Sequence, residues 1–88
     1  MALYAEVNRE GVHHLVLEEY QEGVYVLVFP TASNYSPSED HLQNDWDMAK
    51  RSAMQCWGIT EDRWKEIPDT GIMGEKGWPS KGGAYREE

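Results

Sequence analysis

Two similar five-residue segments constrain the fold of this chain more than any other feature. Asn8-Arg9-Glu10-Gly11-Val12 and Tyr20-Gln21-Glu22-Gly23-Val24 share the pattern x-x-Glu-Gly-Val and lie twelve residues apart. Each glycine follows polar residues and precedes a β-branched residue, which is typical of a three-residue hairpin loop that closes with a left-handed glycine. Two such turns in series predict a three-stranded antiparallel meander, with strands near 3–8, 12–20 and 24–29.

A long amphipathic helix is predicted after the meander. Ser36 and Glu39 match a capping box with Pro37 as the first helical residue, and Gly58 ends the segment. Apolar residues recur between these limits within an arc of roughly 100° on a helical wheel. They are Leu42, Trp46, Ala49, Ala53, Cys56 and Trp57. This stripe predicts that the helix packs on one face of the sheet, in a two-layer α+β fold.

A glycine-rich tail is predicted to follow the folded domain. Thr60 has the position of a helix cap, and a short second helix is expected from there to Pro68, which would close it. Residues 68–88 hold five of the eight glycines and show no hydrophobic periodicity. We therefore expect a single α+β domain over residues 1–67 and a loosely ordered tail over residues 68–88.

Composition limits the classes of partner. The chain has 88 residues, enough for one modest core, and carries a net charge of −8. Because affinity for phosphates depends largely on lysine and arginine, neither nucleic acid nor an anionic membrane is an expected partner. A basic protein partner stays open, although an acidic composition more often means only solubility. The lone Cys56 excludes an internal disulfide, and no signal peptide or transmembrane run is present, so we expect a cytoplasmic protein with a reduced, buried thiol.

The two turns also predict which residues share a face of the sheet. Pairing Asn8 with Val12 and Tyr20 with Val24 places one apolar set beneath the helix: Leu3, Ala5, Val7, Leu15, Leu17, Tyr25, Leu27 and Phe29. The opposite face, called the second face below, receives the other set: Tyr4, Glu6, Asn8, Val12, His14, Val16, Glu18, Tyr20, Val24, Val26 and Val28.

The predicted second face is more apolar than a solvated sheet face usually is. Tyr4, Val16 and Val28 form a row across it, and roughly 400 Å² of apolar surface is at the upper end of what a monomer exposes. Three covers are considered, in this order: a second copy of the chain, the tail, or a different protein. The pattern predicts a homodimer interface that Val16→Glu or Val28→Glu would abolish without unfolding the chain. Its residues are Tyr4, Val16, Tyr20, Val26 and Val28.

The residues that carry chemistry do not form a catalytic signature, and no cofactor or metal is expected. His13 and His14 are neighbours in a strand, so their side chains should point to opposite faces and not bind one metal. His14 falls opposite Glu6 in the predicted register, as a cross-strand pair that could titrate. His41 and Asp45 lie four residues apart on the predicted helix, but two ligands do not make a metal site.

Three functions stay open. The first is a small acidic, non-catalytic protein-interaction module that self-associates through the second face. The second is an inhibitor or immunity-type protein that masks a basic enzyme surface with its carboxylates, which are Glu18, Glu19, Glu22, Asp40, Asp45 and Asp47. The third is a small enzyme or ligand-binding domain with a pocket at the strand-to-helix loop, residues 30–37. His14, His41 and this loop are the candidates for its site.

Overall fold

A computed structural model of the chain describes residues 2–32 and 36–72. The fold is α+β, as predicted, but the sheet has five antiparallel strands instead of three. They are β1 (Ala2–Arg9), β2 (Val12–Tyr20), β3 (Gly23–Phe29), β4 (Glu39–Gln43) and β5 (Lys65–Ile67), in the spatial order β4-β3-β2-β1-β5. One helix, α1 (Trp46–Trp57), packs on the sheet, and a 3₁₀ turn spans Glu61–Arg63. The predicted loose tail falls mostly on residues 73–88, outside the described residues.

The first hairpin keeps the predicted register along most of its length. Ala5 pairs with Leu15, and Gly11 adopts the expected left-handed conformation, with φ of 82°. The register shifts by one residue between Glu6 and Arg9, so that Arg9 pairs with Val12. The bulge therefore lies within β1, whereas the sequence pattern predicted it in the turn.

The second hairpin differs from its predicted register by one residue. Tyr20 pairs with Gly23 instead of Val24, and Leu15 pairs with Val28 instead of Phe29. Gly23 is thus the first residue of β3, not the last residue of the turn. Because side chains alternate along a strand, this shift moves every β3 side chain to the opposite face of the sheet. The predicted composition of both faces is therefore wrong for β3.

Close packing of α1 explains why this register is favoured. Under the helix, the sheet contributes small or branched side chains, and the helix contributes two alanines that are fully buried. The predicted register would instead have placed the larger Tyr25, Leu27 and Phe29 in the same narrow space. Interiors pack at crystal-like density, so the smaller set lets the helix approach the sheet more closely. The contacting core is Ala5, Leu15, Leu17, Val24, Val26, Val28, Ala49, Ala53 and Ile59.

Helix α1 begins nine residues later than the predicted start at Pro37. Asp45 is its N-cap, with an extended backbone (φ −157°, ψ 179°), and the Asp45 Oδ1 accepts a hydrogen bond from the Met48 N–H at 2.9 Å. The end of the helix at Gly58 is confirmed: Gly58 has φ of 72°, and its N–H donates to the Met54 carbonyl at 2.9 Å. Cys56 is exposed, so the predicted buried thiol is wrong.

The segment predicted as the first turns of the helix forms β4. Its residues pair with β3, from Val28 with Glu39 to Val24 with Gln43. The edge of β3 would otherwise leave a row of N–H and C=O groups without partners, and β4 satisfies them. The approach is close at Gly23, where an added Cβ would clash with the Gln43 carbonyl oxygen.

The predicted second helix is also replaced by a strand. Only the 3₁₀ turn forms after Thr60, and β5 then pairs with β1, with Leu3 opposite Glu66. No helix in the described part of the chain is long and apolar enough to cross a membrane.

Candidate functional site

The centre of the second face is buried within a single copy of the chain. Ala2, Val16, Leu27 and Phe29 have no exposed surface and form one cluster. The predicted row Tyr4–Val16–Val28 is instead Tyr4–Val16–Leu27, because of the shifted register. The partly buried residues around this cluster are Tyr4, Tyr20, Tyr25, Ile67 and Ile72. A second copy could not reach this centre in the conformation described.

Residues 67–72 return over the second face, and a buried carboxylate holds them there. Glu18 in β2 is 2 % exposed, and it accepts hydrogen bonds from the Thr70 N–H at 2.9 Å, the Gly71 N–H at 3.0 Å and the Thr70 hydroxyl at 2.5 Å. Three donors satisfy a carboxylate that would otherwise be costly to bury. The beginning of the predicted tail therefore covers part of this face.

The five predicted interface residues do not share one surface. Val26 and Val28 lie in the core beneath α1 with no exposed surface, so their assignment to the second face is wrong. Tyr4, Val16 and Tyr20 do lie on the second face, but Val16 is fully buried there. The shift in the β3 register is the reason, because it exchanges the two faces of that strand.

An exposed apolar patch is present on the second face next to β4. Leu42 is 48 % exposed and lies opposite Tyr25, whose ring contacts the Tyr20 ring edge to face with 5.7 Å between centroids. Both tyrosines are partly exposed. These three residues are called the β4-side patch below. Sequence reasoning missed Leu42 because its spacing from Trp46 fitted the helical stripe.

The histidine residues in β2 are placed differently from the prediction. Glu6 does lie opposite His14, as predicted. However, the Nδ1 atoms of His13 and His14 are only 2.8 Å apart, so the two rings meet although their Cβ atoms diverge. The His14 ring is buried and stacks on the Phe29 ring, with 4.7 Å between ring centroids. The centroid of the Tyr4 ring lies 4.9 Å from that of His14. This packing indicates that the His14 ring is part of the second-face core.

His41 and Asp45 do not lie on one helix. His41 is in β4, where its Nε2 lies 2.9 Å from the Glu39 carboxylate, and Asp45 caps α1. Within residues 2–32 and 36–72, no group of three or more His, Cys, Asp or Glu side chains is placed to hold a metal ion.

The acidic residues proposed to mask a basic partner do not form one exposed surface. Glu18 is buried, and Asp45 is engaged at the start of α1. Glu19 accepts a hydrogen bond from the Trp46 Nε1 at 3.3 Å on the helix side of the sheet, and Glu22 accepts one from the Tyr25 hydroxyl at 3.5 Å.

Three clefts on the described surface lie on the β5 side of the sheet. The first is an open depression of about 630 Å³ lined by Tyr4, Lys65, Ile67, Pro68, Asp69 and Thr70, and the second, of about 550 Å³, is lined by residues 66–69. The third holds about 200 Å³ between Arg63, Lys65 and β1. The Arg63 guanidinium there donates to the Glu6 carbonyl at 2.6 Å. Residues 33–35 of the predicted pocket loop lie outside the described residues.

Comparison of the chain with protein-family models, with curated proteins and with solved structures found no match in any of the three.

The phenol of Tyr25 should couple stability to pH in the alkaline range. Burial raises its pKa above the ordinary value of 10.0, and the nearby carboxylates of Glu22 and Asp40 raise it further. The unfolded chain therefore loses this proton at lower pH than the folded chain does. The stabilisation is complete below the unfolded pKa and is lost as pH rises through the folded pKa.

Urea unfolding from about pH 8 to about pH 11 measures this loss. In Tyr25→Phe, the free energy of unfolding should fall less steeply with pH than in the unsubstituted chain. An identical slope in the two proteins would show that the Tyr25 phenol ionises alike in the folded and unfolded states.

Proposed function

We propose that this protein is a small acidic, non-catalytic protein-interaction module that self-associates through the β4-side patch. The observation that carries the proposal is the half-exposed Leu42 on the edge strand β4. Leu42 lies opposite the partly exposed Tyr25, whose ring contacts that of Tyr20. Tyrosine is enriched in protein interfaces, because it brings large apolar area and a polar hydroxyl on a stiff side chain. The buried centre of the second face is not required for this contact.

The size of the patch argues for weak association. Full burial of a leucine contributes about 1.5–3 kcal/mol, and a two-fold dimer would bury the patch of both copies. Association itself costs roughly 4–15 kcal/mol, and each copy carries a net charge of −8. We therefore expect a dimer that dissociates on dilution and becomes more stable as salt screens the repulsion between copies.

The test compares two substitutions of exposed apolar residues by glutamate. Leu42→Glu should shift the dissociation constant upward by at least tenfold, because it places a solvated carboxylate in the patch. Met54→Glu is the matched control, because Met54 is 52 % exposed on α1, away from the patch, and its substitution changes the net charge equally. Molar mass from size exclusion with light scattering, at several concentrations and two salt levels, gives both dissociation constants.

Two results would contradict self-association through the patch. One is a monomer at all concentrations, and the other is an equal loss of dimer in both variants. The salt dependence separates this function from the inhibitor-type alternative. Binding to a basic partner should weaken as salt increases, whereas association of two acidic copies should strengthen.

We further propose that the module acts in the cytoplasm. Its single thiol, Cys56, is exposed and has no cysteine partner in the chain. A reducing compartment keeps such a thiol from forming disulfides between copies. Localisation of a fluorescently tagged full-length chain in cells of its source tests this point.

A further inference from the structure

The two edge strands of the sheet differ in how well they are protected against pairing. Strand β5 has three residues, begins with Lys65 and is followed directly by Pro68. Short length, lysine and proline are devices by which natural sheets block an edge. Strand β4 has five residues, contains neither lysine nor proline, and presents the exposed Leu42. Of the two edge strands in the described part of the chain, β4 is therefore the better suited to accept another strand.

The sequence of β4 favours antiparallel pairing with a second copy of itself. Its two carboxylates come first, as Glu39 and Asp40, and its neutral residues Leu42 and Gln43 come last. A two-fold axis at the central His41 would place Glu39 opposite Gln43 and Asp40 opposite Leu42. A parallel, in-register arrangement would place each carboxylate opposite the same carboxylate of the second copy, and like charges directly opposite each other are destabilising.

The same axis brings the two apolar patches together. Leu42 and Leu42 of the second copy would be diagonal neighbours on the second face, roughly 7–8 Å apart, within reach of long side chains. Tyr25, which lies opposite Leu42 within each copy, continues the contact on either side. The backbone hydrogen bonds of the paired edges would add to this apolar contact.

We propose that two copies pair antiparallel through β4, centred on His41, so that their sheets join into one continuous sheet. This inference rests on the proposed function, since it specifies how self-association occurs. The occupant of the edge is a second copy of this chain. This occupant fits because β4, paired antiparallel with itself, places each of its carboxylates opposite a neutral residue.

Disulfide trapping tests the register of this pairing. In a Cys56→Ser background, single cysteines replace His41, Glu39 or Gln43, all of which lie on the helix side of β4. Opposed residues in antiparallel strands have Cα atoms about 4.5–5.5 Å apart, within the range that a disulfide spans. Two Glu39 residues would be four positions apart along the strands, roughly 13 Å, too far to bridge.

The expected result is specific to the register. His41→Cys should form covalent dimers under mild oxidation, whereas Glu39→Cys and Gln43→Cys should not do so alone. A mixture of Glu39→Cys and Gln43→Cys should form mixed dimers. Circular dichroism of each variant establishes that the fold is kept, and Met54→Cys in the same background reports the rate of random collision.

The outcomes that would overturn the pairing are distinct. If light scattering shows a dimer but His41→Cys cross-links no faster than Met54→Cys, the β4 pairing is wrong and the proposed function stands. If Glu39→Cys alone cross-links as fast as His41→Cys, the register is wrong. If the unsubstituted chain is a monomer at every concentration, the β4 pairing and the proposed function both fail.

Discussion

Val28→Glu is expected to unfold the protein. Val28 has no exposed surface, pairs with Leu15 and Glu39 on either side, and lies in the core beneath α1. The substitution removes about 1.5–3 kcal/mol of apolar burial and places an ionised carboxylate where it costs several kcal/mol more. The total approaches the whole stability of a small domain, about 5–15 kcal/mol. Far-ultraviolet circular dichroism and urea unfolding measure the effect.

This expectation reverses the one drawn from the sequence, in which Val28 lay on an interface and the variant stayed folded. Met54→Glu is the control, because it adds the same charge to an exposed position on α1 and should leave unfolding nearly unchanged. A folded Val28→Glu protein with a stability close to that of the control would show that β3 has the other register. It would also return Val28 to the candidate interface.

Glu18→Gln is expected to cause the second largest loss of folding stability among the substitutions considered. The carboxylate of Glu18 accepts three hydrogen bonds from Thr70 and Gly71 while it is buried. The amide of glutamine has one acceptor oxygen, and its NH₂ group would face a donor. We expect a loss of about 3 kcal/mol, and a decrease in melting temperature of roughly 10 °C or more. Thermal unfolding by circular dichroism and urea unfolding measure both quantities.

Glu19→Gln is the matched control for this prediction. Glu19 is the next residue in β2, but it is exposed on the opposite face and accepts one hydrogen bond, from the Trp46 indole. Its substitution should change stability by less than about 0.5 kcal/mol. Equal small effects of the two substitutions would mean that residues 70–71 do not depend on Glu18 for their position.

The contact at Glu18 also decides which part of the second face can function. While Thr70 and Gly71 are bound to Glu18, residues 67–72 lie over the second face from β5 to the central strand β2. The β4-side patch borders this contact, because Tyr25 lies directly opposite Glu18, and it extends from there to Leu42 at the β4 edge. Self-association while the chain is bound to Glu18 would therefore use the patch from its Leu42 side.

Local sequence signals predicted the elements that depend on neighbouring residues. The boundaries of β2 match the prediction, those of β1 and β3 lie within one residue of it, and Gly58 ends the helix as expected. These features depend on alternation of side chains and on glycine at positive φ, both of which are properties of short segments.

Where the local sequence pattern favoured the wrong element, contacts between residues distant in the chain determined the secondary structure. The Ser36–Glu39 capping pattern and the helical spacing of Leu42 and Trp46 both favoured a long helix. Residues 39–43 instead pair with β3 some fifteen residues earlier, and the helix begins only at the Asp45 cap. Tertiary pairing outweighed propensity there, since a strand satisfies the open edge of β3.

By itself, the sequence determined an acidic α+β chain with a three-stranded meander and a helix that ends at Gly58. It also determined that both faces of the sheet are strongly apolar. These features follow from composition and local periodicity. Only the tertiary structure decided which apolar residues face the helix, since a one-residue choice at Gly23 depends on how closely α1 packs. It also decided that Glu18 is buried beneath Thr70 and that Leu42 stays exposed on β4. Both outcomes depend on strands and segments that meet only after the chain has folded.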